Sequence, residues 1–442
     1  MENSRKIALL TLGCKLNYAE TSTYERGFVS AGMKAVPWNG EEKPDLFVIN
    51  TCSVTEVSDK KGRNLIRKMH RINPLAPIIV TGCYAELARE EVAGIEGVAL
   101  VFGAKEKNQL VPRTLEYLSG NTVVASSDNT ARTLAEEYRE ISKTILPAFS
   151  SGERTRSFLK VQDGCNNFCA YCTVPYARGE SRNIPICEAV KQAEMIAAQG
   201  IKEIVLTGVN TGDFGKTTGE TFLDLLKALQ EVEGIERYRI SSIEPNLITE
   251  EIIDWIAEGC EVQTGRRCKI LPHFHIPLQN GTDEILKSMG RHYDTAFFKD
   301  RIDMIRRKME GPGKPAVFFG IDVMAGLPGE TEELFRKGMD FLAEVKPAFI
   351  HIFPYSVRPG TRAASMPGHV PENVKKERVA RMEVLCERLH SEFVASQKGI
   401  RSKVLFESSE KDGSMFGYSE NYIKVERPYD EALSGQIVEV TL

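Results

Sequence analysis

The chain has 442 residues, 42% hydrophobic and 27% charged, with 57 Lys and Arg against 61 Asp and Glu and a net charge of −4. That length holds two or three domains, and the near-neutral balance excludes a protein that coats nucleic acid by bulk charge while permitting a local basic face. No apolar run approaches the ~20 residues of a membrane span, and ten cysteines are too few for a disulfide scaffold in so long a chain, so their clustering points to metal or redox chemistry.

The N-terminal stretch MENSRKIALLTLGCKLN runs into a strand without a small-residue cleavage site. It reads as folded structure and not as a signal peptide, which predicts a cytoplasmic protein with no membrane partner. Apolar runs at 6–12, 45–50 and 78–81 read as buried strands, and the polar stretches 17–32 and 58–72 between them have helical spacing. Alternation of this kind predicts an α/β unit, a parallel sheet with covering helices. A polar, strand-poor stretch at roughly 120–155 reads as a linker and the entry to a second domain. From Ser157 the alternation restarts, with strands expected at 157–161, 203–208, 237–242, 273–277, 317–324 and 349–353 and helices such as 187–199 and 331–345. Six strand–helix units suit an incomplete parallel barrel related to the eightfold one. Pro371 opens a long charged segment with Val379, Met382, Leu385 and Leu389 at helical spacing. The β-rich runs of 402–442 then suit a small antiparallel barrel.

Residues 164–172, GCNNFCAYC, place Cys165, Cys169 and Cys172 in a C-x3-C-x2-C pattern with no fourth cysteine close behind. A 4Fe-4S cubane has four irons, so three thiolates leave one iron open to a substrate. A zinc site completed by a distant histidine and a trio of buried free thiols are the alternatives; the specific spacing favours the cluster. Cys14, Cys52 and Cys83 each follow one of the first three strands (TLGC, VINTC, VTGC). The carboxyl ends of a parallel open sheet form its binding crevice, so these thiols are expected on one rim. Gly13 and Gly82 just before two of them would let backbone approach a bulky inorganic core. Small buried cysteines are common after strands, but three in three predict a second cluster, again with an open iron. Cys187, Cys260, Cys268 and Cys386 have no partner at ligand spacing, and Cys187 and Cys386 are expected to be packing residues.

At this point the chain resembles the methylthiotransferases, radical S-adenosylmethionine enzymes that insert sulfur and a methyl group at an unreactive C–H bond. TLGCKLN, NTCSVT and TGCYA resemble the family's auxiliary-cluster segments, GCNNFCAYCTVPYARG its radical-SAM loop and GYSENYIKV its C-terminal TRAM core. The resemblance implies an N-terminal cluster domain at 1–120, a linker at 121–150, a radical-SAM core forming a partial (βα)6 barrel at 151–380, and a connecting helix with a small TRAM β-barrel at 381–442. Of three branches, TLGCKLN, RISSIEP, HFHIPLQNG and HIFPYSVRPGT look most like the one acting on threonylcarbamoyladenosine in tRNA; the isopentenyladenosine branch would favour Gln-Met at Lys15-Leu16, and the ribosomal-protein aspartate branch a proline after the first cysteine. Two 4Fe-4S clusters are implied, on Cys14, Cys52 and Cys83 (auxiliary) and on Cys165, Cys169 and Cys172 (radical-SAM). S-adenosylmethionine would serve twice, methylating a sulfur at the auxiliary cluster and yielding the radical that takes hydrogen from carbon 2 of adenine beside the anticodon. Partners implied are the tRNA anticodon loop, an external electron donor and a sulfur source.

Tyr171 occupies the family's usual aromatic position near the adenine of the cofactor. Gly208 stands where these enzymes bind the methionine amino group, or it is an ordinary strand-end turn. Glu244 could bond a ribose hydroxyl or stay a solvated strand-end acid. Arg178 could hold the cofactor carboxylate, a tRNA phosphate or a structural salt bridge. His273 and His275 share one strand face and resemble a barrel-hydrolase metal pair, but no matching later His/Asp set is expected. MAGLPGE (324–330) lacks the P-loop lysine and is expected to border adenosine. For RNA, Lys60, Arg63, Arg67 and Arg71 share a helical face after Cys52, and Tyr422 and Lys424 lie in the C-terminal barrel. A non-catalytic iron–sulfur electron carrier or RNA-binding protein is the rival of another class.

Overall fold

The computed structural model describes residues 4–120, 145–152, 155–259 and 268–442; most of the expected linker lies outside them. The first unit is a five-stranded parallel sheet of β1 (Lys6–Thr11), β2 (Lys34–Ala35), β3 (Leu46–Thr51), β4 (Ile78–Gly82) and β5 (Val98–Phe102), in the order β2-β1-β3-β4-β5. Every residue of β3 and β4 is buried, which is why both read as unbroken apolar runs and not as alternation. Helix Lys15–Ser30 follows β1, and helix Glu56–Ile72 follows β3. The second is capped by Thr55, whose hydroxyl accepts from the Ser58 amide at 3.2 Å. It lays Ile66 and Met69 on Phe47, Ile49 and Val80. Each such side chain, fully buried, contributes about 1.5–3 kcal/mol.

The second unit contains β6 (Ala148–Phe149), β7 (Arg156–Lys160), β8 (Gln162–Asp163), β9 (Arg182–Asn183), β10 (Glu203–Thr207), β11 (Arg237–Ile240), β12 (His273–Gln279), β13 (Phe318–Ala325) and β14 (Phe349–Pro354). Two sheets, β11-β10-β7-β6 and β12-β13-β14, are joined by parallel bridges between Tyr238 and Ile270 and between Ser242 and His275. The strands β7, β10, β11, β12, β13 and β14 thus form the expected open sixfold barrel. Its outer core, with Leu206, Ile240, Phe274 and Ile321, takes in Met382, Leu385 and Leu389 of the long helix Glu372–Ser396.

The last unit is β15 (Arg401–Lys411), β16 (Ser414–Tyr418), β17 (Lys424–Pro428) and β18 (Ile437–Thr441), antiparallel in the order β17-β16-β15-β18. It is an antiparallel half-barrel sheet, consistent with the small TRAM-like β-barrel expected. The turn after β16 plugs the barrel's base. Arg239 donates to the carbonyls of Ser419 (2.8 Å) and Glu420 (2.9 Å). Among the described residues no helix is long and apolar enough to cross a membrane.

Candidate active site

Cys14, Cys52 and Cys83 sit at the carboxyl ends of the adjacent strands β1, β3 and β4. Helices begin at or just beyond each: Cys14 caps Lys15–Ser30, Cys83 opens Cys83–Leu87, and Glu56–Ile72 starts four residues after Cys52. The glycines before two of them do have left-handed backbone, Gly13 at φ 111° and Gly82 at φ 100°. Their tight neighbours are protein atoms, however. A Cβ on Gly13 would lie 2.7 Å from Cys52 Cβ, and one on Gly82 2.2 Å from the Thr51 carbonyl oxygen. They let adjacent strand ends converge, and that brings the thiols together. Burial, and next the neighbouring Cys83, push the Cys52 thiol up to about 11; burial also raises Cys83.

Cys165, Cys169 and Cys172 lie on the loop after β8. The Cys172 amide donates to the Cys169 carbonyl at 2.9 Å, and the Cys165 amide to that of Gly179 at 3.0 Å. Burial pushes both Cys165 and Cys172 up to about 12, with Cys169 adding to each. Arg291, which the sequence reading passed over, donates to Cys169 Sγ at 3.0 Å and to Glu244 at 2.5 Å. The sequence around it, MGRHYD, gives no motif; it is found only through what it touches.

The two sets meet. Cys14, Cys52 and Cys83 line the same cavity of about 440 Å³ as Cys172, Tyr171 and Gly208. The walls between them are Leu16, Val54, Met324 and Phe353. Cys169 and Cys172 also border a neighbouring pocket of about 210 Å³. All nine cysteines among the described residues are free of disulfides. Thiols held neutral by burial become thiolates when they coordinate a cation, and soft sulfur donors in threes suit iron–sulfur clusters. The donor sets therefore fit the implied groups.

The domain junction behind this cavity is ionic. Arg178 also lines the cavity, yet it donates to Asp163 (2.8 Å) and Asn17 (2.6 Å) and pairs with Glu20 at 3.3 Å. Glu20, with no exposure, also pairs with Lys160 (2.7 Å) and Lys107 (2.9 Å). Of the three roles weighed for Arg178, the structural salt bridge is formed. Glu244 is not a solvated acid: it is buried, and Asn167 (2.7 Å), Asn210 (3.4 Å) and Arg291 hold its two oxygens. MAGLPGE serves as a brace, since Glu330 accepts from the Gly326 amide (2.7 Å), Asn280 (2.8 Å) and Arg378 (2.8 Å); its Met324 reaches the cavity.

For RNA contact, Lys60, Arg67 and Arg71 are exposed on helix Glu56–Ile72, whose N-terminal Thr55 lines the cavity. Arg63 is tied to Tyr84 (3.0 Å) and Glu91 (3.2 Å). Lys424 is exposed. The expectation that Tyr422 meets RNA needs correction. Its ring lies in the barrel base, 4.8 Å from those of His273 and Tyr418, with the Arg239 guanidinium also 4.8 Å away. Those neighbours already engage the ring within the protein. Cys187 is exposed, not packed; Cys386 is buried as expected.

A His/Asp set does exist, contrary to expectation. His275 Nε2 lies 2.7 Å from Asp322 Oδ1, and ligand atoms of His275, Asp322 and His351 all fall within 4.8 Å of one another. Asp322 and His351 are register partners on β13 and β14, so the parity of the parallel strands points them the same way. Asp322 lines the cavity.

Residues 6–103 match the family described as Uncharacterized protein family UPF0004, and residues 159–342 match the Radical SAM superfamily. The chain is 38% identical to the threonylcarbamoyladenosine tRNA methylthiotransferase MtaB of Bacillus subtilis, over 99% of this chain and 93% of that one. It is 34% identical to the protein of the same name from Aquifex aeolicus, over 99% and 100%. Among solved structures, a radical S-adenosylmethionine methyltransferase, TsrM, from Kitasatospora setae superposes with a TM-score of 0.58 at 15% identity, over 82% of this chain and 75% of that one, a likeness of fold.

Proposed function

The chain belongs to the threonylcarbamoyladenosine tRNA methylthiotransferase family, and from that premise we propose that it converts N6-threonylcarbamoyladenosine beside the tRNA anticodon to the 2-methylthio derivative. The observation that supports this reading most is the one cavity shared by Cys14, Cys52, Cys83 and Cys172. Sulfur insertion needs both centres to face a single nucleobase. Cys14, Cys52 and Cys83 would hold the auxiliary 4Fe-4S cluster, and Cys165, Cys169 and Cys172 the second. Bound there, the clusters and S-adenosylmethionine would supply the sulfur-carrying, methyl-donating and one-electron chemistry needed at carbon 2 of adenine. External sulfur and electron donors complete the requirement.

The chain's own residues bind, orient and exclude water. Leu16, Val54, Met324 and Phe353 give the cavity apolar walls that suit a planar base, with a few polar groups to orient it. Tyr171, within the three-cysteine loop, and Gly208 line the cavity beside Cys172, where the adenosyl group of the cofactor would lie. Arg291 donates to Cys169 Sγ, so a cationic donor beside the thiolate stabilises its charge. The buried Glu20–Lys160–Arg178 network fixes the N-terminal sheet over the barrel mouth, so the two cysteine sets keep one separation. Lys60, Arg67, Arg71 and Lys424 would contact phosphates of the RNA, and the enzyme would act in the cytoplasm.

The test is anaerobic incubation of the cluster-loaded protein with S-adenosylmethionine, a reductant, sulfide and tRNA carrying threonylcarbamoyladenosine, followed by nucleoside mass analysis. A 2-methylthio product is expected. Product only from isopentenyladenosine tRNA would move the chain to the sister branch. No product and no cofactor cleavage would leave a non-catalytic iron–sulfur protein.

A further inference from the structure

Lys15 is the residue whose placement nothing so far explains. It follows Cys14 and opens helix Lys15–Ser30, its neighbours Cys14 and Leu16 line the cavity, and its own side chain is partly buried. Among the described residues its ammonium has no hydrogen-bond or ion-pair partner. The charged groups of the barrel strands that act on it are Arg156, Asp322 and Arg239. The two arginines are committed elsewhere: Arg156 to Glu407 at 2.8 Å, Arg239 to Glu203 at 2.8 Å. Among the described residues Lys15 is thus a cation left without a partner, and a partly buried cation in that position costs free energy unless a ligand supplies the anion.

The His275, Asp322 and His351 group, whose Asp322 lines the same cavity as Cys14 and Leu16, has the donor set of a two-histidine, one-carboxylate metal site. Its surroundings argue the other way. A divalent cation here would add to the positive charge of Lys15, which acts on Asp322 and His351, with Asp322 the lone carboxylate of the trio and already bonded to His275 at 2.7 Å. Like charges disfavour that arrangement, whereas an anionic ligand relieves it. A threonyl group joined through a carbamoyl to N6 of adenine keeps a free carboxylate and a hydroxyl. These match an ammonium next to a hydrogen-bonded His–Asp pair, as an isopentenyl group would not.

We propose that Lys15 and the His275–Asp322 pair form a subsite that reads the threonyl group, Lys15 pairing with its carboxylate and Asp322 with its hydroxyl. This rests on the function proposed above. The subsite sets specificity: a substrate lacking the carboxylate leaves the partly buried ammonium unpaired, and sites built around such a group reject the analogue strongly.

The experiment measures dissociation constants of the cluster-loaded enzyme for two anticodon stem-loop RNAs. One carries threonylcarbamoyladenosine and the other its neutral carboxamide analogue. The wild type should prefer the carboxylate by ~10- to 100-fold, the range of a charge-assisted hydrogen bond. Lys15→Met should reduce that preference to about twofold or less, and Lys15→Arg should retain most of it. Iron content and the cluster absorbance check that Cys14 is undisturbed. Should Lys15→Met fail to load its clusters, the wild-type preference and its retention in Lys15→Arg decide. Equal affinity of the wild type for both RNAs overturns the subsite, as does an undiminished preference in Lys15→Met. Tight Mn2+ binding by the holoenzyme that is lost in Asp322→Asn would also overturn it, in favour of a metal site. If the wild type modifies threonylcarbamoyladenosine but binds both RNAs alike, only the subsite fails. If it forms no methylthio product from that nucleoside, the function proposed above fails.

Discussion

Replacing Glu20 by glutamine should loosen the joint between the N-terminal sheet and the barrel. The carboxylate has no exposure and lies within 2.7–3.3 Å of Lys160, Lys107 and Arg178. Of these, Lys107 belongs to its own unit and the other two to the barrel. Burial by itself would raise the Glu20 pKa, but the three cations outweigh burial and hold it below the usual carboxylate range. Glutamine keeps the shape and removes the charge, leaving three buried cations to share Asp163. Breaking a buried pair on one side costs about 3–5 kcal/mol. At roughly 2–4 °C per kcal/mol for a unit of this size, the melting transition should fall by roughly 6–20 °C. Scanning calorimetry of the cluster-loaded protein reads this directly. The folded pKa is depressed, so the stabilisation is fully present above the unfolded value and is lost as pH falls through the folded one. The deficit of Glu20→Gln should therefore be constant from pH 6 to 8 and shrink only in strong acid. Adding Lys160→Met to Glu20→Gln should recover part of the loss, because one unpaired cation is removed. A melting temperature within about 1 °C of wild type, against the 6 °C minimum expected, would refute the reasoning.

The remaining predictions concern the site. Cys169→Ala should abolish 5′-deoxyadenosine formation, whereas Cys52→Ala should spare it and stop sulfur insertion, with iron falling in each variant from about eight to about four; equal loss of cofactor cleavage would undo the division of roles. Gly82→Ala should destabilise by at least about 1–3 kcal/mol in chemical denaturation, since the methyl meets the Thr51 carbonyl, and the iron bound through Cys83 should fall with it. Reversing charge at Lys60 and Arg67 should weaken tRNA binding and lower the salt slope by about one per residue, and Arg63→Glu should act less through phosphate because Tyr84 and Glu91 already hold its guanidinium.

Much of this site is legible in the chain because its donors obey simple rules. Cys14, Cys52 and Cys83 each follow an apolar run, and carboxyl ends of adjacent parallel strands must share a rim. Cys165, Cys169 and Cys172 announce themselves by spacing. What the sequence hid depends on tertiary parity or on very short elements. Strand β2 has only two residues, and β5, a short apolar run at the edge of the sheet, is partly buried along four of its five residues. His275, Asp322 and His351 come from three strands, and only the register between β12, β13 and β14 sets them side by side. Arg291 carries no motif, and Glu20 lies in a helix whose other buried positions include Asn17 and Thr21, so its burial among cations has no local signal. Tyr422 looked available to RNA because an aromatic beside a lysine is a common RNA-binding pair. In the fold its ring packs among His273, Tyr418 and Arg239 at the barrel base, a tertiary arrangement that the local sequence does not signal.

The most direct measurement uses tRNA whose threonylcarbamoyladenosine carries deuterium at carbon 2 of the adenine. If the cavity between the two cysteine sets holds that base against the cofactor, 5′-deoxyadenosine formed during turnover gains deuterium in step with methylthio product. Unlabelled 5′-deoxyadenosine alongside full product formation would contradict it.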